Sequence, residues 1–287
     1  NWDKAKFEDY INNIYAPGKG IPIPDSFKQD FAGTDSPLSI YDYNKDIYIT
    51  LWRVRDSRTS GSGFVSACWA GYSLNFSKDI TPQATIKQLN DRNFQAWGMT
   101  ATPNYWGIQP SLKSEPYPMG INLFPTGTGA AGISDFGTMT LMEEVRRGEI
   151  KHTIGLSLPY LKQGQSWPAN RNDANGNANY CKTIDSSEYN CLQEGQRLRL
   201  PANFNLDSIS DPYARMFAKA ARDYGMVIDD YSGCVCIQVE SNSQLTNYGK
   251  TDYWASTINT TYGTTGATFK EFPWEALEVL PENWGKP

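Results

Sequence analysis

The feature that most constrains this chain is that short β-type runs follow one another across turns, with few helices between them. Residues 46–55 and 64–74 are rich in β-branched and aromatic residues and are separated by a polar Gly/Ser segment, which predicts a hairpin. Another strand is predicted over 150–158, and 226–230 with 234–241 predict a second hairpin. A doubly wound α/β fold needs strict alternation of strands and helices, so this pattern argues against it.

The predicted helices are few and have recognisable ends. Apolar residues at helical spacing predict one over 3–15. Thr140–Glu143 has the form of a capping box and opens a short helix that Gly148 closes. The best-defined helix opens at Asp211–Pro212 and stops at Gly225.

The composition is typical of a loop-rich, largely β protein. Of 287 residues, 39% are hydrophobic, 20% charged and 13% aromatic, which excludes a disordered chain or a coiled coil. We predict a mostly β fold: a β-sandwich resembling a jelly roll, in a single domain over 21–287 with three or four peripheral helices, preceded by an N-terminal helix within 1–20. The net charge of −5 and the absence of a basic block argue against nucleic acid. No apolar run is long enough to insert in a membrane.

The cysteines favour an extracellular location. Cys181 and Cys191 lie in a polar, Asn-rich stretch that offers no core to bury them, which predicts a disulfide worth about 3 kcal/mol in the chain-entropy model. Cys234 and Cys236 share one face of a predicted strand, where neighbouring cysteines rarely bond without strain, so one is expected to pair with Cys68 instead. Their spacing does not suit zinc, and no metal is predicted. We expect a secreted monomer.

Three residues are candidates for catalysis. His152 is the only histidine and lies on the apolar face of the strand predicted over 150–158. It is therefore either a core histidine or an acid/base group in a cleft. Arg171 would hold a carboxylate or hydroxyl group of a substrate, and Asp173 follows it closely along the chain.

The stretch after Asp173 has two interpretations. Asp173, Asn175 and Asn177 place side-chain oxygens at every second residue, which resembles a weak calcium loop. The segment supplies one formal charge and lacks a bidentate Glu, so a plain Asn/Gly turn is favoured and no cofactor is expected.

Aromatic residues in polar, Gly-rich segments indicate a sugar-binding surface. Flat rings with polar edges stack on sugar faces while neighbouring polar groups bind hydroxyls. The stacking candidates are Trp69, Trp97, Tyr105 and Trp106. Cleavage of a glycosidic bond needs paired carboxyls, and the sequence offers several that it does not pair: Asp42, Asp135, Glu143, Asp173, Asp229, Asp230 and Glu240.

Four motifs, in order along the chain, carry a resemblance: Gly148–His152, Pro168–Asp173, Glu194–Leu200 and Tyr224–Val227. Together they resemble a largely uncharacterised family of secreted microbial proteins, over about residues 21–240. The resemblance implies an extracellular, carbohydrate-associated protein and carries no activity with it. The Cys181–Cys191 segment departs from it, because a shorter turn is expected there.

The sequence therefore favours a secreted carbohydrate-active protein that cleaves a polysaccharide, as a glycoside hydrolase or a lyase. The alternative is a non-catalytic glycan-binding or surface-structural protein. In both cases the expected partner is a polysaccharide or glycan.

Overall fold

The computed structural model describes residues 15, 21, 23, 27, 36–45, 47–56, 65–66, 69–74, 95–97, 129–133, 135–169, 172–174, 191–258 and 267–286. These residues form several β-sheets with small helices, in agreement with the predicted mostly β class. The chain divides into two compact units, 1–128 and 129–287. The single domain expected over 21–287 stays a prediction. Apart from Tyr15, which is helical, the helix predicted within 1–20 lies outside the described residues.

The first unit contains a four-stranded antiparallel sheet with the order β1-β2-β5-β6. The strands of this unit are β1 (Leu38–Asp42), β2 (Ile47–Trp52), β3 (Arg55–Asp56), β4 (Val65–Ser66), β5 (Trp69–Leu74) and β6 (Gln95–Trp97). Every residue of β2 is buried, as expected for a strand with neighbours on both edges. Because β2 pairs with β5 along its whole length, the predicted pairing of 46–55 with 64–74 is confirmed.

The second unit is built around a five-stranded mixed sheet with the order β12-β7-β11-β10-β13. The strands of this unit are β7 (Ile154–Leu158), β8 (Leu161–Gln165), β9 (Leu192–Glu194), β10 (Arg197–Arg199), β11 (Met226–Tyr231), β12 (Cys236–Ile237) and β13 (Glu278–Val279). Strand β11 pairs with β7 in parallel and with β10 in antiparallel orientation. Strands β8 and β9 form a separate parallel pair.

The helices of the second unit are short, apart from one that packs on the sheet. They are α1 (Asp135–Thr138), α2 (Met142–Arg147), α3 (Pro212–Asp223), α4 (Ser243–Asn247), α5 (Tyr253–Ile258) and α6 (Ala267–Lys270). Helix α3 begins as predicted: Oδ1 of Asp211 accepts the Ala214 N–H at 2.7 Å, and Pro212 occupies the first turn. None of the helices in the described part of the chain is long and apolar enough to cross a membrane.

The core of the second unit lies between α3 and the central strands. Helix α3 buries Ala214, Phe217, Ala218 and Ala221, which lie on one face of the helix at i, i+3, i+4 and i+7. They join a cluster with apolar residues of β7 and β11. Each large side chain buried in this way contributes roughly 1.5 to 3 kcal/mol of transfer free energy.

The predicted hairpin between 226–230 and 234–241 is wrong, because β7 lies between the two strands. Leu156 of β7 pairs with Ile228 on one edge and with Ile237 on the other. Strand β7 is almost wholly buried, as expected for a central strand, and it separates β11 from β12, which follow each other in sequence.

The disulfides also differ from expectation. Cys234 is bonded to Cys236, with the Cα atoms 5.6 Å apart, so neither pairs with Cys68. Two residues apart in an extended strand would be separated by about 6.7 Å, but Cys234 precedes β12 in a bend, which shortens the distance. Cys191 is disulfide-bonded as well. Cys181 lies outside the described residues, so the predicted Cys181–Cys191 bond stays a prediction.

Gly195 makes the turn between β9 and β10 and attaches it to β11. Its N–H donates to the carbonyl oxygen of Ile228 at 2.6 Å. Its φ of +83° is favoured only by glycine, and a Cβ built there would overlap the carbonyl oxygen of Ser166. The position of this turn therefore requires a residue without a side chain.

We expect Gly195→Ala to lower the free energy of unfolding by at least about 2 kcal/mol, because it adds both backbone strain and overlap. Urea denaturation of the purified protein measures this loss. The matched control is Gly249→Ala, at a φ of +70° with open space around the Cβ, which should cost only about 1 kcal/mol. An equal or smaller loss for Gly195→Ala would contradict the close approach of Ser166.

Candidate functional site

The structure brings two carboxyl groups together inside the second unit. Glu194, the last residue of β9, is 0% exposed, and Asp173 is partly buried. The N–H of Asp173 donates to Oε1 of Glu194 at 3.3 Å, which places the two residues side by side. No N–H or O–H donor among the described residues reaches Oε2 of Glu194.

The surroundings of Glu194 favour the protonated form of its carboxyl group. Burial raises the pKa of Glu194 well above its usual 4.5, and the hydrogen bond and charge of Asp173 raise it further, as does the charge of Asp230. Two adjacent carboxyls in a water-poor site do not both ionise. Glu194 therefore keeps its proton at neutral pH.

Main-chain and amide hydrogen bonds fix both members of the pair. The Ser166 N–H, just beyond β8, donates to the carbonyl oxygen of Glu194 at 2.7 Å. Asn172 is buried, and its Nδ2 donates to Oε1 of Gln165 at 3.2 Å, which holds the backbone before Asp173 against β8. The pair thus lies where the parallel strands β8 and β9 end.

Segment 280–286 lies along the same turn. The Leu280 N–H donates to the carbonyl oxygen of Arg197 at 2.9 Å, and the Asn283 N–H donates to Oγ of Ser166 at 2.7 Å. Oδ1 of Asn283 also accepts the Trp167 N–H at 3.0 Å. These bonds place the side chain that follows Asn283 beside the turn that carries Glu194.

His152 lies two residues before β7 rather than on a strand face. Its Nδ1 donates to the carbonyl oxygen of Thr153 at 2.8 Å, and its Nε2 lies 3.0 Å from Oε2 of Glu144. Oε2 of Glu144 also accepts the Leu141 N–H at the start of α2. Because both partners of the ring are acceptors, the doubly protonated imidazolium satisfies them best.

The pair titrates as a coupled ion pair. Burial acts to lower the pKa of His152, but the hydrogen bonds to Glu144 and Thr153 outweigh it and raise the pKa above 6.5. Burial acts to raise the pKa of Glu144, but the hydrogen bonds from His152 and Leu141 take it below 4.5. The contacts of His152 are those of a structural histidine that fixes α2 to the start of β7.

The remaining predicted site residues have separate outcomes. Arg171, Tyr105 and Trp106 lie outside the described residues, as do Asn175 and Asn177 of the calcium-like stretch. Trp69 and Trp97 lie on the adjacent strands β5 and β6 of the first unit, where the backbone alone is described. Among the residues that the structure describes, no group of three or more His, Cys, Asp or Glu side chains is arranged to hold a metal ion.

Several of the carboxylates that the sequence offers for catalysis have structural roles. Asp42 accepts the Tyr15 hydroxyl at 3.0 Å and the N–H groups of the turn after β1. Glu240 caps α2 by accepting the Met142 N–H at 2.8 Å. Glu144, not Glu143, is the carboxylate that bonds back to the start of α2. Asp229 is buried and accepts the hydroxyl of Thr138 at 3.1 Å.

The sequence reasoning missed Glu194 as a site residue. Its one signal in the sequence is its place directly before a glycine, at a turn between two strand-like runs. Glu194 is buried only in the folded chain, where β9 pairs with β8 and the following turn bonds β11, and residue spacing does not reveal this.

The His152–Glu144 pair predicts a pH-dependent stability. The stability that His152 contributes is complete below pH 6.5 and is lost as pH rises through its raised pKa. The stability that Glu144 contributes is complete above pH 4.5 and is lost as pH falls through its lowered pKa. We expect His152→Gln to reduce the free energy of unfolding by about 1 to 2 kcal/mol near pH 5.5, with a clearly smaller reduction at pH 9. Thermal denaturation at both pH values measures the difference.

Arg147→Gln is the matched control, since Arg147 bonds Glu143 at 3.0 Å on the exposed face of the same helix. Its effect should be a few tenths of a kcal/mol at both pH values. Equal losses at pH 5.5 and 9 for His152→Gln would show that the ring is not held as a cation.

No protein-family model, curated protein or solved structure matches this chain. The site consists of the buried, neutral carboxyl of Glu194, the neighbouring carboxyl of Asp173 and the carboxylate of Asp230, whose charge raises the pKa of Glu194.

Proposed function

We propose that this protein is a secreted carbohydrate-active enzyme that cleaves a polysaccharide, with Asp173 as its acid/base group. The observation that carries the proposal is the fully buried carboxyl of Glu194, whose Oε1 accepts the Asp173 N–H at 3.3 Å and whose pKa Asp173 raises. Carboxyls whose surroundings drive their pKa values apart are typical of acid/base sites.

The two carboxyls have different roles in this proposal. Glu194 has no exposed surface, so it does not touch a substrate and is a positioning residue. Asp173 is partly exposed, so it is the group that removes or returns a proton at the substrate. Glu194 orients Asp173 with its O–H and keeps a second negative charge out of the site.

The burial of Glu194 narrows the mechanism. Glycosidases place two catalytic carboxyls about 5 to 9.5 Å apart, on either side of the scissile bond. Because Glu194 has no exposed surface, it does not serve as one of those two carboxyls beside Asp173. Hydrolysis would require Asp173 to take a proton from water, and elimination would require it to take one from a sugar carbon. Asp230, whose charge acts on Glu194, is the candidate for a second carboxylate.

Exposed aromatic rings support a glycan over other polymers. Trp284, in segment 280–286, is 48% exposed, and Tyr231 at the end of β11 is 36% exposed. Rings that offer a flat face to solvent beside polar groups suit sugar stacking. The predicted stacking residues Trp69, Trp97, Tyr105 and Trp106 remain part of this proposal, as does Arg171 as a substrate anchor.

The finer fold also remains a proposal. A sandwich that resembles a jelly roll, with an open groove, would suit a polysaccharide, and the described sheets supply the β surfaces for it. The parallel pair β7–β11 is atypical of a jelly roll, whose strands are antiparallel.

The test measures product release from a panel of polysaccharides. Asp173→Asn should lower the rate by about 10²- to 10⁴-fold, because it removes the acid/base group. Glu194→Gln should retain much of the activity, because its amide still donates to Asp173, whereas Glu194→Ala should lose most of it. Reducing ends without unsaturated products indicate hydrolysis, and unsaturated products indicate elimination.

The pH dependence of stability tests whether Glu194 is held neutral in the folded protein. Because the raised pKa of Glu194 makes the folded protein lose stability as pH rises above 4.5, Glu194→Gln should flatten this loss. Glu143→Gln, on the exposed face of α2, is the control and should leave activity unchanged. Binding of glycans without any Asp173-dependent product would favour the non-catalytic alternative.

A further inference from the structure

Arg197 is a mostly buried cation with no acidic partner in the described part of the chain. It lies on β10, three residues after Glu194, and its Nε is buried without a hydrogen-bond acceptor there. Burial lowers its pKa, and no carboxylate contributes to the shift. Its guanidinium lies 5.9 Å from the centre of the Trp284 ring.

Other arginines of the second unit differ in this respect. Arg199, on the same strand, bonds Glu278 at 3.1 Å, and Arg222 bonds Asp223 at 2.9 Å. Arg215 donates to the carbonyl oxygen of Ile209. A partly buried guanidinium without an anionic partner is costly, so an anion that arrives from outside stabilises it.

Trp284 supplies the second half of a ligand site. Its ring is 48% exposed, which leaves surface beside the guanidinium for a ligand. The backbone beneath it is fixed, because the Trp284 N–H donates to the carbonyl oxygen of Pro281 at 3.1 Å and segment 280–286 is bonded to Arg197 and Ser166. The ring and the cation therefore present one preformed surface, and little ordering is needed on binding.

We propose that Arg197 and Trp284 form a binding subsite for a uronic acid residue of an acidic polysaccharide. The guanidinium pairs with the sugar carboxylate, for which its planar fork is suited, and the indole stacks on the sugar ring. This inference rests on the proposed action on polysaccharide and specifies its substrate class. The subsite lies on the turn that also carries Glu194, so a bound uronate chain passes close to the carboxyl pair.

The test is calorimetric binding of polygalacturonate, alginate and hyaluronate, each compared with its carboxyl-reduced form, with dextran sulfate as a sulfated arm. Wild type should bind at least one uronate polymer and lose at least tenfold in affinity when that polymer is carboxyl-reduced. Arg197→Gln and Trp284→Ala should each weaken binding at least tenfold. Arg199→Gln, on the same strand, should change it by less than twofold.

Three results would overturn the subsite: no uronate polymer binds wild type, the carboxyl-reduced polymer binds equally, or dextran sulfate binds with the same dependence on Arg197. Trp284→Ala keeps the test decisive if Arg197→Gln does not fold, since Trp284 is exposed and its variant should fold. Unchanged uronate binding by folded Trp284→Ala would count against the subsite.

The outcomes also separate this inference from the proposed function. Uronate binding that depends on Arg197, without cleavage of any polymer, would remove the enzyme proposal and leave the subsite. Asp173-dependent cleavage of neutral polysaccharides alone, without uronate binding, would remove the subsite and leave the enzyme.

Discussion

Strand β11 is hydrogen bonded along both edges, and this pairing constrains the second unit. Strand β7 lies parallel to it on one side and β10 antiparallel on the other. Because β10 follows β9 through Gly195, whose N–H also binds β11, the turn between β9 and β10 has one available position. Main-chain bonds therefore place Glu194 and Arg197, and the identity of their side chains then decides what the turn can do.

Two glutamates of this unit show how environment sets the state of a carboxyl. Glu144 is ionised, because it accepts from an imidazole ring and from a backbone N–H at the start of α2. Glu194 is neutral, because burial and a neighbouring carboxylate both oppose its charge. A neutral Glu194 puts no second negative charge beside Asp173. His152 bonds Glu144 and the Thr153 carbonyl oxygen, contacts that connect α2 to the start of β7.

Local signals were enough to predict part of the fold. The ends of α3 depend on Asp211, Pro212 and Gly225, which act on adjacent backbone, and the β2–β5 pairing follows from two strand-like runs across one turn. The position of β7 between β11 and β12 was not predictable, because it depends on contacts between distant segments. Of the two carboxyls, only Asp173 was predicted, because it stands out in a polar loop. The burial of Glu194 was not predictable, because it depends on strands that meet only in the folded chain.

The parallel pairing of β7 with β11 also affects the state of the chain while it is being synthesised. Strand β7 leaves the ribosome well before β11, and its apolar residues Ile154 and Leu156 have no partner on that edge until α3 and β11 have been made. Non-local pairings of this kind form slowly, and an open apolar edge invites association with other chains. A nascent chain that stops before Met226 would therefore expose β7 as an aggregation-prone surface, and release of a folded product depends on translation passing that point.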